Sequence, residues 1–351
     1  MDEMAQLTSL RAEVPEPGMS ELRAEEARLM AAIAGTAGTA EPAPARRRTK
    51  RRVLVRLGIA GGLAAAAVAA GVVVSVGSGP GSPQSPVVLP SAVAPVAVAQ
   101  TLDRAAEAAL HQPELHPRPG QFLVFRSRDM EEVDSSSDRG ATRYLVNTRR
   151  TVWRPVAGPD TQGVLEEEVL APKALPGSPL PPEARQGLGK HGPDRLAESD
   201  GRAADSRNDY AYTSRLPTDT EGMRRHLYTG LNNAPDKTVA AWQRVGDLLA
   251  EAYMPAAQRA ALLRAAATIP GVEAVASAKD AAGREGAAVA LTDTEGMRQE
   301  YIFDRRTHTF LGARTVVVDA AAAGLPKGTV TESTAQLGVQ VSDTAPAIKE
   351  N

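Results

Sequence analysis

The chain has 351 residues, 42% hydrophobic, 23% charged and only 3% aromatic, with 40 basic against 42 acidic side chains and a formal net charge of -2. That balance gives no footprint for nucleic acid, while the length allows one or two domains with a real core. There is no cysteine, which excludes disulfide scaffolds, thiolate-held zinc or iron–sulfur centres, and thiol nucleophiles.

Residues 1–52 read as a short tail. Within it SELRAEEARLMAAIA, residues 20–34, brings Leu22, Leu29, Met30 and Ile33 onto one helical face, with Arg23, Glu25 and Arg28 elsewhere and Ser20 as N-cap. Glu26 interrupts that face. A helix of this length is marginal alone, so it is either a partner-binding element or a solvated tether.

From Leu57 to Val76 the sequence LGIAGGLAAAAVAAGVVVSV carries no charge, and at about 1.5 Å per residue it spans roughly 30 Å of hydrocarbon. Residues 53–77 are therefore expected to form one transmembrane helix. Arg46, Arg47, Arg48, Lys50, Arg51, Arg52 and Arg56 crowd its N-terminal side, and no basic residue follows until Arg104. The positive-inside rule then places the N-terminus in the cytoplasm and the long C-terminal part outside. Ala97-Val98-Ala99 has the small-x-small form of a processing site, but so long a preceding segment argues for an anchor over a cleaved signal. Residues 78–96, rich in Gly, Ser and Pro, read as an extended stalk.

An outer domain is expected over residues 97–341. AVAQTLDRAAEAALH (97–111) reads as a helix closed by Pro113. Strands are expected at 121–130, 141–156 and 164–170, with DSSSDRG (134–140) as the first turn. Residues 172–205, rich in Pro and Gly, read as a long mobile excursion. YAYTSRL (210–216) reads as a weak strand, followed by helices near 219–229, 237–253 and 256–268. In the second of these Val239, Trp242, Val245, Leu249 and Tyr253 share a face. Four strands, VEAVASAKD, EGAAVALT, MRQEYIFD and FLGARTVVVD, are expected to close the domain before a tail at 342–351. Helices grouped between two sets of hairpin-spaced strands predict an α+β fold with an antiparallel sheet covered by helices.

Catalytic signatures are sparse: no GxSxG, HExxH, GxxxxGK[ST] or helix-opening GxGxxG occurs. His111 and His116 lack a third ligand at metal spacing. Asp129, Glu131, Glu132 and Asp134 form an acidic run that lacks the ligand alternation and glycine of a calcium loop, and reads as a wet hairpin tip. Neither a metal nor a cofactor is expected, nor an enzyme. Trp242 and Trp153 read first as packing residues. In a regular strand, Arg143, Arg149 and Trp153 share a face that could meet an anionic ligand or lipid headgroup, with Arg150 and Arg154 on the other.

ELRAEEARLMAAI, one membrane helix, then PRPGQFLVFRSR, a strand carrying Trp153, LPTDTEGMRRHLY, AALLRAAATIPGV, DAAGREGAAVAL and IFDRRTHTFLGARTVV together resemble a family of uncharacterised actinobacterial single-pass membrane proteins. The resemblance covers most of the chain. Members are typically encoded beside an extracytoplasmic-function sigma factor, which implies an accessory or anti-sigma-like role. The tail lacks the His and Cys of zinc-binding anti-sigma domains. The layout of the outer domain also resembles periplasmic lipoprotein carriers and related envelope-stress regulators, which implies a half-barrel-like sheet. Two readings follow from this. One is a membrane-anchored regulator whose outer domain senses a ligand and whose Leu22, Leu29, Met30 and Ile33 meet a cytoplasmic partner such as a sigma factor. The other is a tethered carrier of a lipid or envelope component, with no cytoplasmic role.

TDTEGMR occurs at 218–224 and again at 292–298. The first copy is expected to start a helix through a Thr218–Glu221 capping box, and the second to bend a hairpin between Thr292 and Gly296.

Overall fold

The computed structural model describes residues 95–137, 140–158, 162–196 and 207–348. The expected span Leu57–Val76, the stalk before residue 95 and the tail helix with Leu22, Leu29, Met30 and Ile33 lie outside the described residues. Among the described residues no helix is long and apolar enough to cross a membrane.

In chain order the elements are α1 (Pro95–His111), β1 (Phe122–Ser137), β2 (Gly140–Pro155), β3 (Val164–Ala174), β4 (Gly189–Arg195), α2 (Tyr210–Thr213), α3 (Thr220–Tyr228), α4 (Lys237–Glu251), α5 (Ala256–Ala266), β5 (Glu273–Lys279), β6 (Glu285–Thr292), β7 (Met297–Phe303), β8 (Phe310–Val317), α6 (Ala320–Ala323) and β9 (Val330–Ser342). The fold is mixed α+β. Its nine strands form one antiparallel sheet in the order β4-β3-β2-β1-β9-β8-β7-β6-β5.

Five expectations change. The 134–140 turn shrinks, because β1 and β2 stay in register out to Ser137 opposite Gly140. The excursion at 172–205 is partly built: β3 runs to Ala174 and β4 pairs with it, while residues 197–206 lie outside the described residues. YAYTSRL is not a strand. Asp209 accepts the Tyr212 N–H and caps the short helix α2, overriding the strand propensity of its tyrosines. The first TDTEGMR does begin a helix, but the cap is Asp219, whose carboxylate accepts the Gly222 N–H at 2.7 Å. A ninth strand, β9, joins the two halves of the sheet.

Asparagine-free hairpins are built on aspartate instead. Asp280 accepts the N–H groups of Ala282 and Arg284, Asp293 those of Glu295 and Met297, and Asp304 those of Arg306 and Thr307. Gly283 and Gly296 supply the positive φ in the first two turns. The second TDTEGMR is thus the β6–β7 bend.

Strand alternation divides the sheet into two faces. The helix-covered face carries Val289, Leu291, Tyr301, Phe303 and Ala313, packed against α1, α3, α4 and α5. Leu123, Phe125 and Val152 continue it, with Tyr253 from the α4–α5 corner. On the opposite face Ala278, Ala288, Ile302 and Leu311 form a smaller cluster, and Met130 packs with Ala335 and Ala281. In a flat sheet β5 and β1 would lie about 24 Å apart, yet Ala281, in the turn after β5, reaches Met130 on β1. Several register shifts permit this bending, among them one on β8 at Leu311 and one on β9 at Leu337. Arg284 Nη2 donates to the carbonyls of Leu311 and Gln336 at these two shifts, at 2.7 and 2.9 Å.

A candidate ligand cavity and a neighbouring charge cluster

Helices α4 and α5 meet at the corner Ala252-Tyr253-Met254-Pro255 instead of running on, so Tyr253 leaves the helical face expected for it. Proline cannot continue the α4 ladder, and the backbone of Ala252 is extended. α5 packs along α1, and a cavity of about 340 Å³ remains between these helices, the corner and the sheet. That is within the usual range for small-molecule sites, roughly 300–1,000 Å³.

Most of the lining residues are apolar, but polar atoms make up about half of the exposed wall. Ala105 and Ala109 of α1 are small enough to leave the space, Leu248, Leu249 and Met254 line the α4 side, Leu263 the α5 side, and Phe303, Phe310 and Val339 the sheet. Polar groups enter from a few places: Arg259 in the second turn of α5, Tyr253 in the corner, Gln112 after α1, and His308, Thr309 and Gln336 on the sheet side. Tyr253 is held from three directions. Its hydroxyl oxygen accepts the Leu115 N–H at 2.8 Å, its carbonyl accepts the Thr213 hydroxyl at 2.8 Å, and its ring stacks on Tyr210 at 5.9 Å. Arg259 donates from Nη2 to the Ala109 carbonyl at 3.3 Å, at the C-terminal end of α1 where helix carbonyls lack intrahelical partners.

Beside the cavity, on the same face of the sheet, lies a charge cluster. Asp129 and Glu131 of β1, Arg150 and Arg154 of β2, Glu332 of β9 and Glu251 at the end of α4 come together there. Asp129 is buried, accepts from Ser127 Oγ at 2.6 Å and lies 3.7 Å from Arg150. Desolvation raises its pKa against the pull of Arg150. Glu131 stands directly opposite Glu332. Desolvation, then the charges of Glu332 and Asp129, push it up to about 7. Burial works against the charge of Arg150, but Glu251, Asp129 and Glu131 outweigh it and raise its pKa. Arg154 pairs with the Glu251 carboxylate, donates to the Glu251 carbonyl at 2.7 Å and lies over the Phe125 ring at 5.5 Å. The space bounded by Arg150, Arg154 and Glu251 is about 10 Å³, room for about one water and no organic ligand.

The residues singled out in the sequence behave differently. Arg143, Arg149 and Trp153 do share one face of β2, opposite to the helices. Arg143 pairs there with Glu132, and Arg149 with Glu168 at 2.5 Å. Cross-strand carboxylates therefore meet both guanidinium groups. The acidic run is divided: Glu132 joins Arg143 on that face, while Asp129 and Glu131 point to the other. His111 bonds the Glu107 carbonyl and His116 faces Glu114. Among the described residues no group of three or more His, Asp or Glu is disposed to hold a metal ion. Sequence reasoning passed over Arg259 because the two arginines of AAQRAALLRAA, Arg259 and Arg264, read as the wet side of a helix. The available signal was that, apart from Gln258 and its two arginines, the segment is all Ala and Leu, and the structure buries most of it.

No protein-family model matches the chain, and no curated protein matches it.

Proposed function

We propose that the chain is a non-enzymatic, membrane-anchored regulatory protein whose outer domain takes an apolar, envelope-derived ligand in the cavity between α1, the α4–α5 corner and the sheet. The cavity itself carries this reading: about 340 Å³ lined by Ala, Leu, Met and Phe side chains together with the polar side chains of Gln112, Tyr253, Arg259, His308, Thr309 and Gln336. Each buried methylene of a ligand chain would contribute about 0.8 kcal/mol there. In this reading the bulged, bent sheet is a half-barrel closed by helices, which accords with the resemblance to lipoprotein carriers and envelope-stress regulators. The uncharged run 57–76 is the anchor, and Leu22, Leu29, Met30 and Ile33 form the face that meets a cytoplasmic partner, a sigma factor by the family resemblance.

Native mass spectrometry of the full chain in a non-ionic detergent tests the binding half. A small apolar mass is expected on the wild type and should be missing from Ala109→Phe, which fills the cavity; wild-type protein with no such mass would sink the reading. Deleting residues 20–34 tests the coupling half by co-purification with a co-expressed extracytoplasmic-function sigma factor, the partner that the family resemblance implies. If the ligand is retained and the partner is unchanged by the deletion, the outer domain is a tethered carrier with no cytoplasmic role.

A further inference from the structure

Among the described residues two arginines keep a buried Nε that donates to nothing, Arg150 and Arg259. Their surroundings are opposite. Arg150 stands among carboxylates that more than offset its desolvation. Arg259 has no carboxylate within ion-pair distance among the described residues, and desolvation outweighs the distant compensation from Tyr253 and Glu114, so its pKa falls. Of the five donors of its guanidinium, one reaches a protein acceptor, the Ala109 carbonyl at 3.3 Å. Glu114, the nearest acid to influence it, already accepts the Ala256 N–H at 2.8 Å at the start of α5. Tyr253 adds a further donor: its oxygen is used by the Leu115 N–H, and its own hydroxyl proton has no partner among the described residues.

A partly buried, under-compensated cation with spare donors, in a cavity that also presents Leu248, Leu263 and Phe310, is complementary to one anionic group on an apolar chain. We propose that the cavity is selective for single-chain amphiphiles with an anionic head, a carboxylate or a phosphate, whose head is held by Arg259 and Tyr253 and whose chain lies against Leu248, Leu263 and Phe310. This rests on the cavity being the ligand site, and adds the chemical class of ligand.

The test uses the full chain in phosphatidylcholine nanodiscs, with empty nanodiscs as background, and two fluorescent probes: 11-(dansylamino)undecanoic acid and its methyl ester. The acid should bind about tenfold or more tightly than the ester. Arg259→Gln should bring the acid down to the ester's affinity without weakening the ester, and Arg259→Lys should restore part of the preference, since it keeps the charge. Dodecanoate and dodecyl phosphate should each displace the acid probe better than dodecanol does, and the better competitor of the two identifies the head. Equal binding of acid and ester by the wild type overturns the proposal while leaving the cavity reading intact; binding of neither overturns both. Should Arg259→Gln fail to fold, the wild-type comparison of acid with ester still decides.

Discussion

Tyr301 on β7 lies against Trp242 on α4 with ring centroids 4.4 Å apart, and its hydroxyl donates to the Trp242 carbonyl at 2.6 Å. Trp242 Nε1 in turn donates to the Gln299 carbonyl of the same strand at 3.2 Å. Both aromatics are about 1% exposed, so the pair satisfies its polar atoms while clamping α4 to the sheet. One turn further on, Gly246 makes room for it: a Cβ there would stand 2.5 Å from the tyrosine hydroxyl and 2.8 Å from its ring. Alanine in a helix is worth about 1 kcal/mol over glycine, but overpacking costs about 1–3 kcal/mol, and the lost hydrogen bond adds to that cost. Gly246→Ala should therefore lower stability to denaturant, and Tyr301→Phe in that background should recover part of the loss by removing the hydroxyl. A stabilised Gly246→Ala would show that the clamp yields.

Glu131 makes stability depend on pH. Its folded pKa, about 7, lies above the ordinary 4.5, so the folded state binds more protons than the unfolded one between those values and stability falls as pH rises through that window. The charges facing it are Asp129 on its own strand, Arg150 on β2, Glu332 on β9 and Glu251 on α4. Part of the side chain is exposed, and screening trims the effect. Glu131→Gln should gain about 1 kcal/mol at pH 8 and nothing at pH 4, read as denaturant midpoints at the two pH values. An equal gain at both would point to packing instead.

Glu300 sits on the opposite face with no exposure, accepting from Arg298 Nε and Nη2 at 2.9 and 2.7 Å and from Arg314 Nε at 2.8 Å. Removing the central charge leaves two partly covered guanidiniums facing one another. Glu300→Gln should cost about 3 kcal/mol, whereas replacing all three residues with leucine should cost much less. Thermal unfolding of the single and triple variants compares them directly.

The three aspartate turns differ in what each one holds. The Asp280 side chain has no exposure, accepts Arg284 Nε at 2.7 Å and so fixes the arginine that reaches the Leu311 and Gln336 carbonyls. Asp304 holds only its own turn, and the N–H groups of Thr307 and Arg306 draw its pKa below the usual 3.8. Asp280→Ala should thus cost about 3 kcal/mol and Asp304→Ala about 1. The Asp304 contribution is present above pH 4 and fades as acid protonates the folded carboxylate. Asp304→Asn should accordingly flatten the acid limb of the stability curve, and an unchanged limb would remove Asp304 from that account.

The parts of the fold that could be read from the sequence are those where one residue type dominates a periodic face. Val239, Trp242, Val245 and Leu249 marked α4, and alternation around Tyr301 and Phe303 marked β7. β9 escaped because its inward positions are Thr331, Ser333 and Ala335, small or polar groups that pack without a hydrophobic stripe. α2 escaped because a single capping aspartate outweighed the propensities of its tyrosines. The cavity had no signature at all, since it is a gap between α1, α5 and β9, far apart in the chain. The charge cluster was half visible: Asp129 and Glu131 stood out as acidic, but only the sheet brings Glu332 and Arg150 to them.

Every other strand is synthesised before β9, yet β9 lies at the middle of the sheet, hydrogen-bonded to β1 on one side and β8 on the other. Until it emerges, the chain consists of two separate sheets, each with a bare inner edge able to recruit a neighbour's backbone. Assembly thus has one vulnerable interval, and a chain ending before β9 would present that state permanently to proteases and aggregation.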